Sequence, residues 1–268
     1  MVSCAWLLPL GFAFAAEPSP RAETVPPEAT AALPAPGWRV DLAVTGNYFS
    51  GNLDQAQLLG RVHLRTSGPR GGADVLASGF RVWSRMADAP YQRVGDDLSG
   101  VLLPFVYVRP KLYLQGYAGF GSSLSRQVEG RVNAGGAVGV TPVRTADVLV
   151  RGSVGMQVER AAYASDRFNL DGVQVDGTTR TVPRAVVASN GWYRVKRAPV
   201  SLRYLAWAMV NPAQWRDYRS FLDLGLDVRV AEGWSARASV TAAHDSLVPI
   251  GVSPAEVRAG IGIAYSTP

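Results

Sequence analysis

The chain has 268 residues, of which 47% are hydrophobic and 28 are glycine, and its formal net charge is +6. A chain of this length and composition can bury a sizeable core, which excludes an intrinsically disordered protein. Lys111 and Lys196 are the only lysines, so nearly all of the positive charge comes from arginine. No cluster of basic residues resembles a nucleic-acid-binding arm, and we therefore expect no nucleic-acid partner.

Residues 1–15 resemble a secretory signal peptide. A short apolar run from Leu7 to Phe12 precedes Ala13-Phe14-Ala15, an Ala-x-Ala pattern that predicts cleavage after Ala15, although the usual basic residues before the run are missing. The run is far shorter than the roughly 20 residues of a membrane-spanning helix. Cys4 is the one cysteine and lies in this segment. We therefore expect a mature chain without disulfides or cysteine-based metal sites.

Residues 16–36 contain several prolines among alanine, glutamate and threonine. Such a segment cannot bury a core, and its composition is typical of an extended linker. The sequence thus predicts a periplasmic linker over 16–36, followed by one folded domain over 37–268.

From Trp38 onward, apolar side chains alternate with polar ones. Between 147 and 159, for example, Val148, Val150 and Val154 share one parity, while Arg151 and Gln157 share the other. A strand directs successive side chains to opposite faces, so each segment has one apolar and one polar face. The alternation predicts twelve strands, near 38–48, 55–66, 75–86, 96–108, 111–121, 131–141, 147–159, 183–195, 200–210, 218–230, 234–243 and 256–265.

The predicted strands are long enough to cross a bilayer at a steep tilt, which takes about 9–11 residues. The connections alternate between tight turns, such as 109–111 and 231–233, and longer segments, such as 160–182 and 244–255. This pattern is typical of an up-and-down antiparallel transmembrane β-barrel in the outer membrane of a Gram-negative bacterium, with both termini in the periplasm. The connections 67–74 and 49–54 depart from the pattern, the first being long and the second short.

A soluble periplasmic all-β binding protein is the alternative fold, because sandwiches and lipocalin-like barrels also alternate. Their apolar face is a core that requires bulky, interdigitating side chains. Here that face mixes valine and leucine with small residues, as at Ala236, Ala238 and Ala242. This mixture favours contact with lipid.

Aromatic residues support the membrane interpretation. Trp38, Trp234 and Tyr265 are predicted to lie at the periplasmic rim, and Tyr48 and Tyr218 at the opposite rim, as an aromatic girdle. Gly260, Ile263 and Tyr265 in the last strand resemble the C-terminal recognition signal of barrels that the bacterial assembly machinery inserts. We therefore expect contact with that machinery, with outer-membrane lipid and with lipopolysaccharide.

The polar face is rich in arginine and predicts a charged lumen. Two hypotheses remain open: a narrow anion-preferring pore, or a lumen plugged by paired Arg and Asp side chains. The residues predicted to line the lumen are Arg39, Asp41, Arg61, His63, Arg65, Arg81, Arg85, Arg131, Arg151, Glu159, Arg203, Arg219, Asp223, Asp227, Arg229, Arg237 and Arg258.

His244 and Ser246 lie two residues apart and raise the alternative of an outer-membrane lipid-acting hydrolase, because a His-x-Ser pair on one strand face can form a catalytic pair. The nearest predicted outward neighbours include no residue that could orient the histidine, so a turn role for Asp245 and Ser246 is favoured. With two histidines and no mature thiol, we expect no metal site and no cofactor.

Three segments resemble the family of salt-induced outer membrane proteins (YdiY-like), a domain of unknown function. They are Ser50-Gly51-Asn52-Leu53-Asp54, Tyr113-Leu114-Gln115-Gly116 leading to Arg131-Val132-Asn133-Ala134-Gly135-Gly136-Ala137-Val138-Gly139, and Asp245-Ser246-Leu247-Val248-Pro249. Residues 160–217 depart from the pattern. The resemblance implies a barrel in the outer membrane and brings no established activity. We expect a small non-enzymatic barrel whose role involves the envelope or osmotic stress.

Overall fold

The computed structural model describes residues 37–49, 53–68, 70–86, 90–145, 147–169, 178–196 and 198–267. The predicted signal peptide and linker lie outside these residues. The described residues form strands and connections without a helix, and they contain no helix that is long and apolar enough to span a membrane. The strands are β1 (Gly37–Phe49), β2 (Leu53–Ser67), β3 (Gly71–Met86), β4 (Gln92–Arg109), β5 (Leu112–Ser123), β6 (Val128–Arg144), β7 (Val148–Tyr163), β8 (Thr179–Arg194), β9 (Val200–Asn211), β10 (Gln214–Ala231), β11 (Trp234–Asp245) and β12 (Ala255–Ser266).

Each strand pairs antiparallel with the next, and β12 pairs with β1 to close the barrel. The predicted fold class is therefore confirmed. The closing seam runs from Asp41↔Ser266 to Gly46↔Ile261, a shorter ladder than that between β1 and β2. Side chains reinforce the seam, because the Ser266 hydroxyl hydrogen-bonds the Asp41 carboxylate.

The barrel has two ends with different connections. We call the end where β1 begins and β12 finishes the terminus end, and the opposite end the loop end. The segments 164–178 and 246–254 are the two longest connections, and both lie at the loop end. The connections at the terminus end, such as 110–111 and 232–233, are short.

Several predicted boundaries were wrong, because the strands continue beyond the apolar alternation. The predicted long connections 211–217 and 67–74 shrink to 212–213 and 68–70, and β4 and β10 each reach 18 residues. Backbone pairing does not require apolar side chains. Near the rims, polar residues occupy both faces of a strand while its hydrogen-bond ladder continues.

The barrel exposes apolar side chains and buries charged ones, which is the opposite of a soluble protein. Outward side chains such as Val257 and Ile261 are each 73% exposed, whereas Arg184 and Asp217 on the inner face are 0% exposed. A soluble sandwich or lipocalin-like barrel would bury its aliphatic face and expose its charges. The observed distribution is the reverse.

Gly139 allows one close approach inside the barrel. A Cβ atom at this position would lie 2.1 Å from Cζ of Tyr113 on the neighbouring strand. The Tyr113 ring fills that space and packs edge-on against Phe105 and Tyr107, with ring centroids 6.4 and 6.0 Å apart. The lumen near the terminus end is therefore packed with aromatic rings as well as charges.

Candidate functional site

The candidate site is the charged lumen. All of the predicted lumen residues except Arg81 and Arg85 share the inward parity of their strands. Arg229 has this parity but is exposed at the terminus end of β10. The other predicted residues therefore share the inner face of the barrel.

Arg81 and Arg85 are placed on the outer face, which corrects their prediction as lumen residues. Their strand has apolar side chains at both parities, so alternation does not identify its inner face. Phe80 and Val82 point inward and are each 7% exposed, while Arg81 pairs with the outward Leu58. On β3 the lumen accommodates apolar side chains. The arginines at the other parity therefore face outward, opposite to the prediction.

The loop end of the lumen holds a buried group of charges from four strands. Arg184 lies between two carboxylates, with Nη1 3.0 Å from Asp217 Oδ1 and Nε 3.4 Å from Glu159 Oε1. Arg219 also contacts Glu159, and its Nε lies 2.8 Å from Asp245 Oδ2. We call these five residues the loop-end network. Because β7 and β10 are not neighbours in the sheet, the network bridges the lumen.

Two further arginines extend the loop-end network. Arg180 Nη2 lies 2.7 Å from Asp217 Oδ2, and Arg131 Nη2 lies 3.4 Å from Asp245 Oδ2. Arg131 belongs to β6 and Asp245 to β11, so this contact also crosses the barrel. Every carboxylate of the loop-end network therefore contacts at least two guanidinium groups.

The middle of the lumen is bridged in the same way. Arg61 on β2 donates through Nη1 to Asp223 on β10 at 2.7 Å and through Nη2 to the Thr241 hydroxyl at 2.8 Å. A cavity of about 10 Å³ adjoins Thr241, Phe80 and Arg258, which is about the space that one water molecule needs. Side chains from β2, β10 and β11 therefore meet in this part of the lumen.

The terminus end has its own network, centred on Asp74. Its Oδ1 lies 2.8 Å from His63 Nε2 and 2.6 Å from Arg65 Nε, and its Oδ2 lies 3.7 Å from Arg151 Nη1. Since Arg151 lies on β7 and Asp74 on β3, this contact crosses the lumen. His63 acts as a member of the network.

Asp41 and Asp227 anchor the rest of the terminus end. Arg203 lies between them, with Nη1 3.6 Å from Asp41 Oδ2 and Nε 2.9 Å from Asp227 Oδ2. Asp227 also accepts two hydrogen bonds from Arg237, at 2.6 and 2.9 Å, and Arg39 Nε lies 3.2 Å from Asp41. Arginine and carboxylate are paired at both ends of the barrel.

The loops 164–169 and 246–254 meet at the loop end. The Asn169 N–H donates to the Val248 carbonyl at 3.0 Å, and Phe168 forms a β-bridge with Pro249. Leu247 is 0% exposed and Val248 2% exposed. These loops follow β7 and β11, which are separated in the sheet by β8, β9 and β10. Their contact therefore bridges part of the mouth, and we call it the loop cap.

Sequence reasoning missed several charged residues of the lumen. Arg180, Asp217 and Asp245 fell in predicted loops, and Arg184 was in a predicted strand but was not selected. Extending the two-residue alternation of each strand into its polar end would have identified all of these positions. Asp74 was missed for the same reason, because it lay in the predicted 67–74 turn.

The structure does not pair His244 with Ser246 through any described contact. The His244 ring stacks on Tyr218, with centroids 5.2 Å apart, and the Ser246 hydroxyl accepts the Tyr218 backbone N–H at 2.8 Å. Asp245, predicted as a turn residue, instead points into the lumen. Within the described residues, no three His, Cys, Asp or Glu side chains are arranged to hold a metal ion.

The aromatic residues predicted for the girdle lie on the outer face at the two ends. Trp38 is 77% exposed, and Trp234 packs against Tyr265 at the terminus end, with ring centroids 5.1 Å apart. At the loop end, Tyr48 and Tyr218 are 60% and 43% exposed. Gly260, predicted as part of the assembly signal, faces the lumen beside Thr45, whereas Ile263 is 57% exposed on the outer face.

These features define a class: a closed twelve-stranded antiparallel barrel with an apolar exterior and a charge-paired interior. No protein-family description and no curated protein matches the sequence. Among solved structures, the chain is similar to the NanC porin, with 9% identity, a TM-score of 0.46 and coverage of 84% of this chain and 98% of that chain.

Two other solved structures are similar. The translocator domain of autotransporter NalP from Neisseria meningitidis gives 17% identity, a TM-score of 0.46 and coverage of 85% of this chain and 88% of that chain. The KdgM porin gives 10% identity, a TM-score of 0.38 and coverage of 85% and 98%. All three TM-scores lie below 0.5, so the fold class rests on the strand pairing itself.

Proposed function

We propose that this chain is a non-enzymatic outer-membrane β-barrel whose lumen is closed at rest, serving as a component of the envelope. The observation that carries the proposal is the inverted distribution of side chains, with aliphatic residues such as Ile261 exposed outward and ion pairs such as Arg184–Asp217 buried inward. Lipid is the environment in which such an exterior is stable.

The outer face has the height that a membrane requires. On β1 the outward positions run from Trp38 to Tyr48. Ten residue steps of about 3.3 Å at a tilt of about 40° give a height of about 25 Å, which matches the apolar band of outer-membrane barrels. The longest connections lie at the loop end. This end is proposed to face outward, with the termini in the periplasm.

The closed resting state follows from charge pairing inside the barrel. A selective anion pore needs guanidinium groups that are free to attract ions. Here Arg61, Arg184, Arg203 and Arg219 each contact at least one carboxylate, and the loop cap bridges part of the loop end. The plugged hypothesis is therefore favoured over the open anion pore.

Two measurements test the proposal together. Purified protein should need detergent and should migrate faster on SDS gels unheated than boiled, because the closed barrel resists SDS. In planar bilayers the inserted protein should show no sustained open state. Solubility without detergent together with heat-independent mobility would count against the barrel, and a steady conductance would count against the closed lumen.

A narrow anion-preferring pore is the second candidate. It is favoured by Arg151 Nε and Arg180 Nη1, which are buried and have no hydrogen-bond partner in the described part of the chain. An anion passing through the lumen could accept these hydrogen bonds. If sustained currents occur, the reversal potential in a KCl gradient should indicate chloride preference, and cation preference would exclude this candidate.

The remaining functional expectations have direct tests. Phospholipid hydrolysis that is lost in Ser246→Ala would establish the hydrolase alternative against the proposal. The last strand, with Ile263 and Tyr265 on its outer face, supports insertion by the barrel assembly machinery. The family resemblance suggests a role in osmotic stress, for which higher abundance of the protein in salt-grown cells is the expected observation.

A further inference from the structure

A cluster of charged residues lies on the outer face of the barrel, near the loop end of β2, β3 and β4. We call it the rim cluster, and it consists of Asp54, Arg81, Arg85, Arg93 and Asp96. The three arginine side chains are between 44% and 56% exposed, whereas the arginines of the loop-end network are almost fully buried. The rim cluster therefore faces the surroundings of the barrel.

A β-bulge brings part of the rim cluster to the outer face. Val82 pairs with Gly95, but the next residue, Trp83, pairs with Arg93, so Val94 is the extra residue. Without the bulge, Arg93 and Asp96 would point to opposite faces, because they are three residues apart. Bulges commonly redirect side chains in this way. The bulge places Arg93 beside Asp96 on the exterior.

Asp96 holds two guanidinium groups at once. Its Oδ1 lies 3.4 Å from Arg81 Nε, and its Oδ2 lies 2.9 Å from Arg93 Nη1. Each guanidinium has five N–H donors, and these contacts use one donor of each. One carboxylate therefore positions two arginines side by side, and each keeps N–H donors that the described residues do not use.

Arg85 extends the rim cluster toward the mouth. Its Nη2 lies 2.8 Å from Asp54 Oδ2, and its guanidinium lies 4.7 Å from the centroid of the Tyr91 ring. Among the described residues, the three arginines and two aspartates of the rim cluster carry one excess positive charge. Leu58 is the cross-strand partner of Arg81, and Leu98 lies two residues beyond Asp96 on the same face of β4. They are 46% and 51% exposed, so the outer face becomes apolar at the edge of the rim cluster.

Charged groups on the outer face of a membrane barrel are tolerated at the interface and costly at the midplane. The rim cluster borders the apolar band at the loop end, where lipid headgroups begin. Phosphate is the group that arginine recognises best, because the planar guanidinium offers parallel N–H donors to its oxygens. A phosphate would satisfy the excess charge and the available donors together.

We propose that the rim cluster binds the phosphate groups of an outer-leaflet glycolipid, with Arg81 and Arg93 as the principal donors. The proposal rests on the proposed function, because it requires the loop end to reach the outer leaflet. The apolar outer face beneath the cluster contacts the acyl chains of the same lipid.

The test measures binding of diphosphoryl lipid A to the full folded protein in an uncharged detergent, by native mass spectrometry. Arg81→Gln/Arg93→Gln should weaken binding at least tenfold. Arg70→Gln/Arg109→Gln removes the same charge from exposed positions at the terminus end and should change affinity less than twofold. Dephosphorylated lipid A should bind the original protein as weakly as diphosphoryl lipid A binds the rim variant.

Equal affinities for the rim variant and the original protein would overturn the inference, as would equal binding of the two lipids. Heat-dependent mobility of each variant reports whether the barrel is folded. A folded barrel that binds both lipids equally would refute the rim site and leave the proposed function intact. A protein that fails to insert into bilayers at all would instead refute the proposed function.

Discussion

Arg184 offers the most direct test of the plugged lumen. Its guanidinium is fully buried and donates to Glu159 Oε1 at 3.4 Å, and to the carbonyl and Oδ1 of Asp217 at 3.1 and 3.0 Å. Removing one partner of a buried ion pair costs about 3–5 kcal/mol. Glu159 keeps Arg219 and Asp217 keeps Arg180, so neither carboxylate is left alone. We therefore expect Arg184→Leu to cost about 3 kcal/mol, the lower end of that range.

The assay is equilibrium unfolding in lipid vesicles, followed by tryptophan fluorescence in a denaturant series. Lys196→Leu is the control, because the Lys196 side chain is 81% exposed and its Nζ lies 4.0 Å from Asp147. An exposed pair of this kind contributes less than about 1 kcal/mol. If Arg184→Leu is as stable as the control variant, the lumen is hydrated enough to replace the lost contacts, and the argument for a dry plug is wrong.

Two further predictions concern closure and packing. Val44 faces Ile263 across the β1–β12 seam, so Val44→Cys/Ile263→Cys should form a disulfide under mild oxidation. Non-reducing gels should show this crosslink in the double variant, and Val44→Cys alone cannot form it. If the folded double variant forms no crosslink, closure of the barrel is contradicted. Gly139→Ala should lower the free energy of unfolding by about 1–3 kcal/mol, since its Cβ would overlap the Tyr113 ring. Gly60→Ala is the neutral control, because a Cβ atom added at Gly60 would have no atom within 4 Å. Equal effects of the two substitutions would refute the packing argument.

The sequence predicted the architecture because alternation and strand length are local properties. Every predicted strand is present, and closure into a barrel follows from pairing the first with the last. The ends of the strands could not be predicted equally well. Asp245 lies where the apolar signal stops but the hydrogen-bond ladder continues, and Asp217 lies in the irregular stretch of β10 between Gln214 and Tyr218. At both positions the sequence pattern resembled a loop.

The charge balance of the lumen was harder to predict than its polarity. Most of the missed residues, including Asp74, Asp217 and Asp245, are acidic, whereas the most visible predicted ones are arginines. The excess of arginine over carboxylate in the lumen was therefore overestimated from the sequence. The support for an anion pore was overestimated for the same reason. Pairing between strands far apart in the sheet, such as Arg61 with Asp223, depends on which side chains meet across a closed barrel. That information exists only once the barrel is closed.

Arg81 shows how the face to which a side chain points on one strand decides what that side chain can contact. Placed inward, this arginine would have added one more positive charge to a lumen whose carboxylates already contact arginines. Placed outward by the apolar inner residues Phe80 and Val82, it joins Arg93 on one shared carboxylate and keeps donors that no residue in the described part of the chain accepts. The same residue type thus forms ion pairs inside the lumen on one face and a candidate phosphate site on the other. Which role each arginine takes is fixed by the register of β3 and by the bulge at Val94.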